Sequence, residues 1–158
     1  MARYAFVTVW QFRAPIRAVW EEIYHSERWH AWWKGLEPVQ ELEPGDARGV
    51  GSLRRFAWRG ALPYTMTVAM RVTRVEPLVA LEGTATGDLE GRGLWQFACR
   101  DGLTTTRYEW TVRTTARWMN QTAMLARPVF RWNHDVIMRR GKQGLQRLLE
   151  SPAGAGKP

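Results

Sequence analysis

The order of periodic segments predicts an α+β domain: one strand, two short helices, six more strands in a curved seven-stranded antiparallel sheet, and a long C-terminal helix. Three observations carry this. Residues 3–12 alternate without a break. Residues 36–115 divide into six alternating runs at turn material, namely Pro44-Gly45-Asp46, Gly60-Ala61, Glu76-Pro77, Gly87-Asp88 and Asp101-Gly102. The last segment, about 118–150, repeats its apolar residues at helical spacing.

In the first strand Tyr4, Phe6, Thr8, Trp10 and Phe12 share one side, and Ala5, Val7, Val9 and Gln11 the other. Both sides are rather apolar, which predicts a strand covered on both faces. Pro15 suits the first position of a helix whose stripe is Ile16, Val19, Trp20, Ile23 and Tyr24. Ser26 is placed to cap a second short helix, 27–34, ended by Gly35. Strands are expected at 36–43, 50–59, 63–76, 78–86, 91–100 and 103–115. The run 63–76 sets Tyr64, Met66, Val68, Met70 and Val72 against Thr65, Thr67, Ala69, Arg71 and Thr73, a half-buried strand. In the C-terminal helix Pro128 marks a boundary or kink. One face there carries Phe130, Asn133, His134, Ile137, Gly141, Gly144, Leu145 and Leu148. Two mid-helix glycines cost stability, about 1 kcal/mol each relative to alanine, unless something broad lies close against the helix. Trp132 and Val136 fall on the otherwise polar face, a contact patch for a homodimer or for a covering loop.

The 158 residues, 45% hydrophobic and 24% charged, fit one soluble domain over 1–150 with a disordered Gly/Pro-rich tail at 151–158. No apolar run is long enough for a transmembrane helix, and the N-terminus lacks a signal-peptide block, so a cytoplasmic location is expected. One cysteine, Cys99, excludes an intrachain disulfide; its parity with Trp95 and Phe97 predicts a buried, inert thiol. One cysteine and three histidines leave no Cys/His zinc site, and no nucleotide, phosphate or nucleophile-elbow motif is present. No metal and no cofactor are expected. The net charge of +8 comes mostly from arginines scattered singly, which argues against a nucleic-acid-binding arm, so no DNA partner is expected.

Six blocks together resemble the START/Bet v-like (SRPBCC) superfamily, within it the bacterial polyketide cyclase/dehydrase and lipid-transport group. They are Ala14-Pro15-x-x-x-Val19-Trp20-x-x-Ile23, Trp29-x-x-Trp32-Trp33-x-Gly35, Gly45-Asp46-x-x-Gly49-x-Gly51, Gly87-Asp88-Leu89-x-Gly91-x-Gly93-x-Trp95, Thr106-x-Tyr108-x-Trp110 and Trp132-Asn133-His134-Asp135. The resemblance implies a helix-grip fold, in which the sheet wraps the last helix around a hydrophobic cavity. It implies functions from carriage of lipids, quinones or polyketides to aromatisation and cyclisation. It supplies no catalytic motif to carry over.

Ten tryptophans in one small domain argue for aromatic walls. Candidate ligand contacts are Trp10, Trp58, Met66, Met70, Trp95, Phe97, Tyr108, Trp110, Phe130, Asn133, His134 and Ile137, and ordinary core packing is the competing role for each. His134 is either a ligand-facing acid/base or a half-buried histidine satisfied by a strand or by Asn133. Tyr108 is either a proton donor to a ligand oxygen or a core tyrosine. Asp135 cannot form a dyad with His134, because adjacent helical residues diverge. Glu109 is expected to pair across strands with Arg92 or Arg100. Trp29, Trp32 and Trp33 crowd a helix too short to bury them on one stripe. They mark either a cavity entrance with transient membrane-surface contact or packing against the sheet. The function expected first is binding or transfer of a hydrophobic small molecule. The alternatives are a polyketide aromatase/cyclase or dehydratase using His134 and Tyr108, and a protein- or ribosome-interaction module.

Overall fold

A computed structural model describes residues 3–115 and 123–150. The chain runs β1 (Arg3–Phe12), α1 (Ile16–Tyr24), a 3-10 turn (Ser26–Arg28), α2 (Trp29–Trp32), β2 (Gln40–Glu43), β3 (Leu53–Trp58), β4 (Met66–Glu76), β5 (Ala80–Gly87), β6 (Leu89–Arg100), β7 (Leu103–Thr114) and α3 (Ala123–Glu150). All seven strands form one antiparallel sheet in the order β1-β7-β6-β5-β4-β3-β2. Consecutive strands pair as hairpins from β2 to β7. The α1–α2 connection carries the chain from one edge to the other, and β1 then closes beside β7. This is the α+β helix-grip arrangement.

Several elements differ from the sequence expectation. β2 is four residues long rather than eight; Pro38 lacks an N–H for the ladder, and Leu36 touches the sheet only through an isolated bridge to Trp58. Pro15 is the N-cap of α1 rather than its first residue. Ser26 does not cap a helix: it opens the 3-10 turn, and its hydroxyl accepts from Arg54 Nη1 at 2.8 Å. β1 is covered on one face only, since Val7 and Val9 are 58% and 53% exposed. Cys99 is exposed, beside the Asp101–Gly102 turn where the strand ends. Glu109 pairs with Arg107, two residues along its own strand, and not with Arg92 or Arg100. Pro128 lies inside α3, which continues through it. The expected tail at 151–158 and the start of the last segment, Trp118 included, fall outside the described residues. Among the described residues no helix is long and apolar enough to cross a membrane.

The two mid-helix glycines are explained by close approach. A Cβ on Gly144 would overlap the Trp32 carbonyl oxygen, and one on Gly141 would overlap the Trp33 ring. α2 therefore sits directly on the backbone of α3, and Trp33 Nε1 donates to the Ile137 carbonyl at 2.9 Å. Trp132, on the outer side of α3, is 52% exposed.

The core divides in two. One cluster gathers Trp10, Phe12, Trp20, Ile23, Trp95, Phe97 and Leu145 around α1, α2 and the distal part of α3. The other gathers Tyr4, Phe6, Met66, Val68, Leu89, Trp110 and Phe130 near the start of α3. Met70 and Tyr108 pack against both, and the space between them is a cavity.

Candidate ligand chamber

The cavity encloses about 480 Å³, within the range of small-molecule sites. Period-2 alternation of the strands builds its walls. β3 contributes Phe56 and Trp58, β4 Met66, Val68 and Met70, β6 Gly93 and Trp95, and β7 Tyr108 and Trp110; α3 contributes His134, Ile137 and Met138. Trp95 and Tyr108, paired across β6 and β7, stack at 4.3 Å, and Tyr108 stacks on Trp110 at 5.9 Å. Three near-parallel rings thus form one continuous aromatic wall.

Eight of the twelve contacts expected from sequence border the cavity: Trp58, Met66, Met70, Trp95, Tyr108, Trp110, His134 and Ile137. The other four are elsewhere. Trp10 is core, set against Trp33 and Trp95. Phe97 packs edge-on to Trp20, and Phe130 lies 4.3 Å from Tyr4. Asn133 is buried, and its Oδ1 accepts from the Ala61 backbone N–H at 2.8 Å, tying the β3–β4 loop to α3. Trp29, Trp32 and Trp33 are all buried: Trp29 and Trp33 border the cavity, while Trp32 stacks on Trp33 outside it.

The bordering residues that are exposed to solvent are Glu27, Glu41, Pro44, Asp46 and Ala47, which places the mouth beside the β2–β3 loop. Sequence reasoning missed this rim, and with it Arg54. The signal for Arg54 was present: it shares the parity of Phe56 and Trp58, a cation on the inward side of a strand.

Two polar groups lie deep. The Tyr108 ring is enclosed by protein, and the surface it keeps faces the void. Its hydroxyl has no hydrogen-bond partner among the described residues. Burial raises its pKa, so the hydroxyl stays protonated. The His134 imidazole stacks on Phe6 at 3.8 Å, and neither ring nitrogen has a partner or is open to the void. Asp135 Oδ1 lies 3.8 Å from Nδ1, beyond hydrogen-bond reach, and its carboxylate is 69% exposed. Burial lowers the His134 pKa to about 4; Asp135 partly opposes this and Arg131 adds to it. The imidazole is therefore neutral at physiological pH. Among the described residues no group of three His, Cys, Asp or Glu is placed to hold a metal ion.

No protein-family model and no curated protein matches the chain. Solved structures do. TTHA0849 from Thermus thermophilus is similar over 90% of this chain and 97% of its own, with a TM-score of 0.71 at 15% identity. The Zhui aromatase/cyclase from Streptomyces sp. R1128 is similar over 97% and 99%, with a TM-score of 0.69 at 15% identity. The di-domain ARO/CYC BexL from the BE-7585A biosynthetic pathway has a TM-score of 0.75 at 19% identity; the match covers 94% of this chain, which spans 50% of BexL. The chain therefore has a helix-grip fold, shared with these aromatase/cyclases.

Proposed function

We propose that the protein binds a hydrophobic, oxygen-bearing small molecule of polyketide-like character in the chamber between sheet and α3. The observation that carries this is the Tyr108 hydroxyl, protonated and unpartnered on an otherwise aromatic wall. Apolar walls supply affinity by removing ligand surface from water, at about 25 cal/mol per Å² before binding costs. A single buried hydroxyl supplies orientation, because a ligand carbonyl satisfies it and a hydrocarbon leaves it unmet. The likeness of fold to aromatase/cyclases supports a ligand with rings and keto groups.

The test compares 1,4-naphthoquinone with naphthalene by quenching of tryptophan fluorescence, in the wild-type protein and in Tyr108→Phe. The variant is expected to lose roughly tenfold in affinity for the quinone, one hydrogen bond's worth, with naphthalene unchanged. Equal effects on both ligands would refute the orienting role of Tyr108.

A catalytic reading is favoured by one feature: His134 borders the same chamber with two unpartnered nitrogens. In that reading Tyr108 holds a ketone oxygen while His134 removes a proton from the adjoining carbon, the start of an aldol cyclisation. Two facts weigh against it. The His134 ring must first turn from its stack on Phe6, and a pKa of about 4 makes it a weak base at neutral pH. Binding is therefore the primary reading.

A further inference from the structure

The chamber mouth is held by two different kinds of contact. On one rim, the β2–β3 loop is fixed largely through backbone. Asp46 Oδ1 accepts from the N–H groups of Arg48 and Val50 at 2.8 and 3.0 Å, and the Tyr24 hydroxyl donates to the Arg48 carbonyl at 2.7 Å. On the other rim a single side chain joins three chain segments. From β3, Arg54 Nη1 donates to Ser26 Oγ at 2.8 Å and to Glu27 Oε2 at 2.9 Å, in the turn after α1. Its Nη2 lies 3.7 Å from Glu41 Oε1 on β2, the residue directly opposite it in register. Arg54, Ser26, Glu27 and Glu41 all border the chamber.

We propose that Arg54 with Ser26, Glu27 and Glu41 forms a clasp that opens each time a ligand passes between solvent and chamber. This rests on the ligand-binding reading above. The contacts are side-chain contacts at a partly exposed rim, so they break without disturbing the sheet ladder or any helix. The closed clasp is also imperfect: Arg54 Nε is buried without a hydrogen-bond partner. Opening returns that donor to water or to an oxygen of the passing ligand, which offsets part of the lost ion pairing. The opposite rim, pinned by backbone acceptors and donors, offers no such exchange. Exchange through this clasp is faster at high salt, because the Glu27 and Glu41 carboxylates are exposed enough to be screened.

Stopped-flow fluorescence with N-phenyl-1-naphthylamine, an uncharged apolar probe, tests the clasp in wild type, Glu27→Gln and Arg54→Gln. Near-UV circular dichroism verifies that each variant keeps its aromatic packing. Both variants are expected to raise the association and dissociation rates together, roughly tenfold, leaving the dissociation constant near the wild-type value. Added sodium chloride should speed exchange in the wild type, speed it less in Glu27→Gln, where the Arg54–Glu41 pair remains, and leave Arg54→Gln unmoved. Unchanged rates and unchanged salt response in both folded variants would overturn the clasp while leaving probe binding intact. A faster dissociation rate alone would also overturn it, by making Arg54 a ligand contact rather than a gate. If the probe does not bind the wild type at all, the ligand-binding reading itself falls, and the clasp with it.

Discussion

Acidification from pH 7 to pH 5 should lower the stability of the folded protein through His134. Its folded-state pKa, about 4, lies below the ordinary value of 6.5 because the imidazole is buried against Phe6 without a partner for either nitrogen. Between those two values the unfolded chain binds a proton that the folded chain refuses. The stabilising contribution is thus fully present above pH 6.5 and is lost as the pH falls toward 4. A pKa unit is worth ~1.4 kcal/mol, so the full window corresponds to about 3 kcal/mol, of which about 2 kcal/mol is gone at pH 5. Urea unfolding followed by tryptophan fluorescence at half-unit steps measures this directly. In His134→Phe, where a ring still stacks on Phe6 but nothing titrates, the slope between pH 6.5 and pH 5 should shrink by about one proton's worth. A wild-type stability that is flat over this window, or a slope that survives the substitution, would refute the burial argument and with it the assignment of a neutral imidazole.

Two other substitutions test the packing. Gly144→Ala places a methyl group on the Trp32 carbonyl oxygen; α2 must lift from α3, and urea unfolding should show a loss of about 3 kcal/mol. On β7, two fully buried threonines make opposite predictions. Thr104 Oγ1 donates to the Ala14 carbonyl at 2.6 Å, whereas Thr106 Oγ1 has no partner. Thr104→Val should cost about 1–3 kcal/mol, and Thr106→Val should be neutral or stabilising, by the same assay.

The sheet was legible because alternation depends on local geometry alone. Met66 through Val72 and Leu94 through Cys99 read correctly as strands from their period, although β4 begins at Met66 and not at the expected residue 63. Alternation also fixed which residues point inward, and eight of the expected contacts do border the chamber. It does not tell whether an inward residue meets another side chain or a void. Trp10 and Trp95 have the same parity in their strands, yet Trp10 is sealed by Trp33 and Gly141 while Trp95 borders the chamber. That difference is set by how closely α2 approaches α3, a tertiary distance between residues more than a hundred positions apart. The rim was hidden for another reason. Glu41, Pro44 and Asp46 look like ordinary turn and edge residues, and they become a mouth only because β2 is four residues long.

The abundance of tryptophan resolves into two roles with different physics. A void in a small domain forfeits dispersion contacts and tends to collapse unless its walls are braced. Trp29 and Trp33 are the braces. Trp29 Nε1 donates to the Glu22 and Ile23 carbonyls at 2.9 and 3.1 Å, and Trp33 Nε1 to the Ile137 carbonyl, so each indole is fixed at its polar end to helix backbone. Trp33 then meets Trp58 edge-on at 4.6 Å and Trp10 at 5.3 Å. Such rings cannot swing inward without giving up a buried hydrogen bond, and smaller aliphatic residues have no equivalent anchor. Trp58 and Trp95 meet these braces, Trp95 and Trp110 flank Tyr108, and all three indoles border the chamber. The excess of indoles is thus mostly a cost of holding space open. That a chain keeps such space, with a protonated hydroxyl at its wall and a side-chain clasp at its rim, is the physical argument for a ligand that enters and leaves.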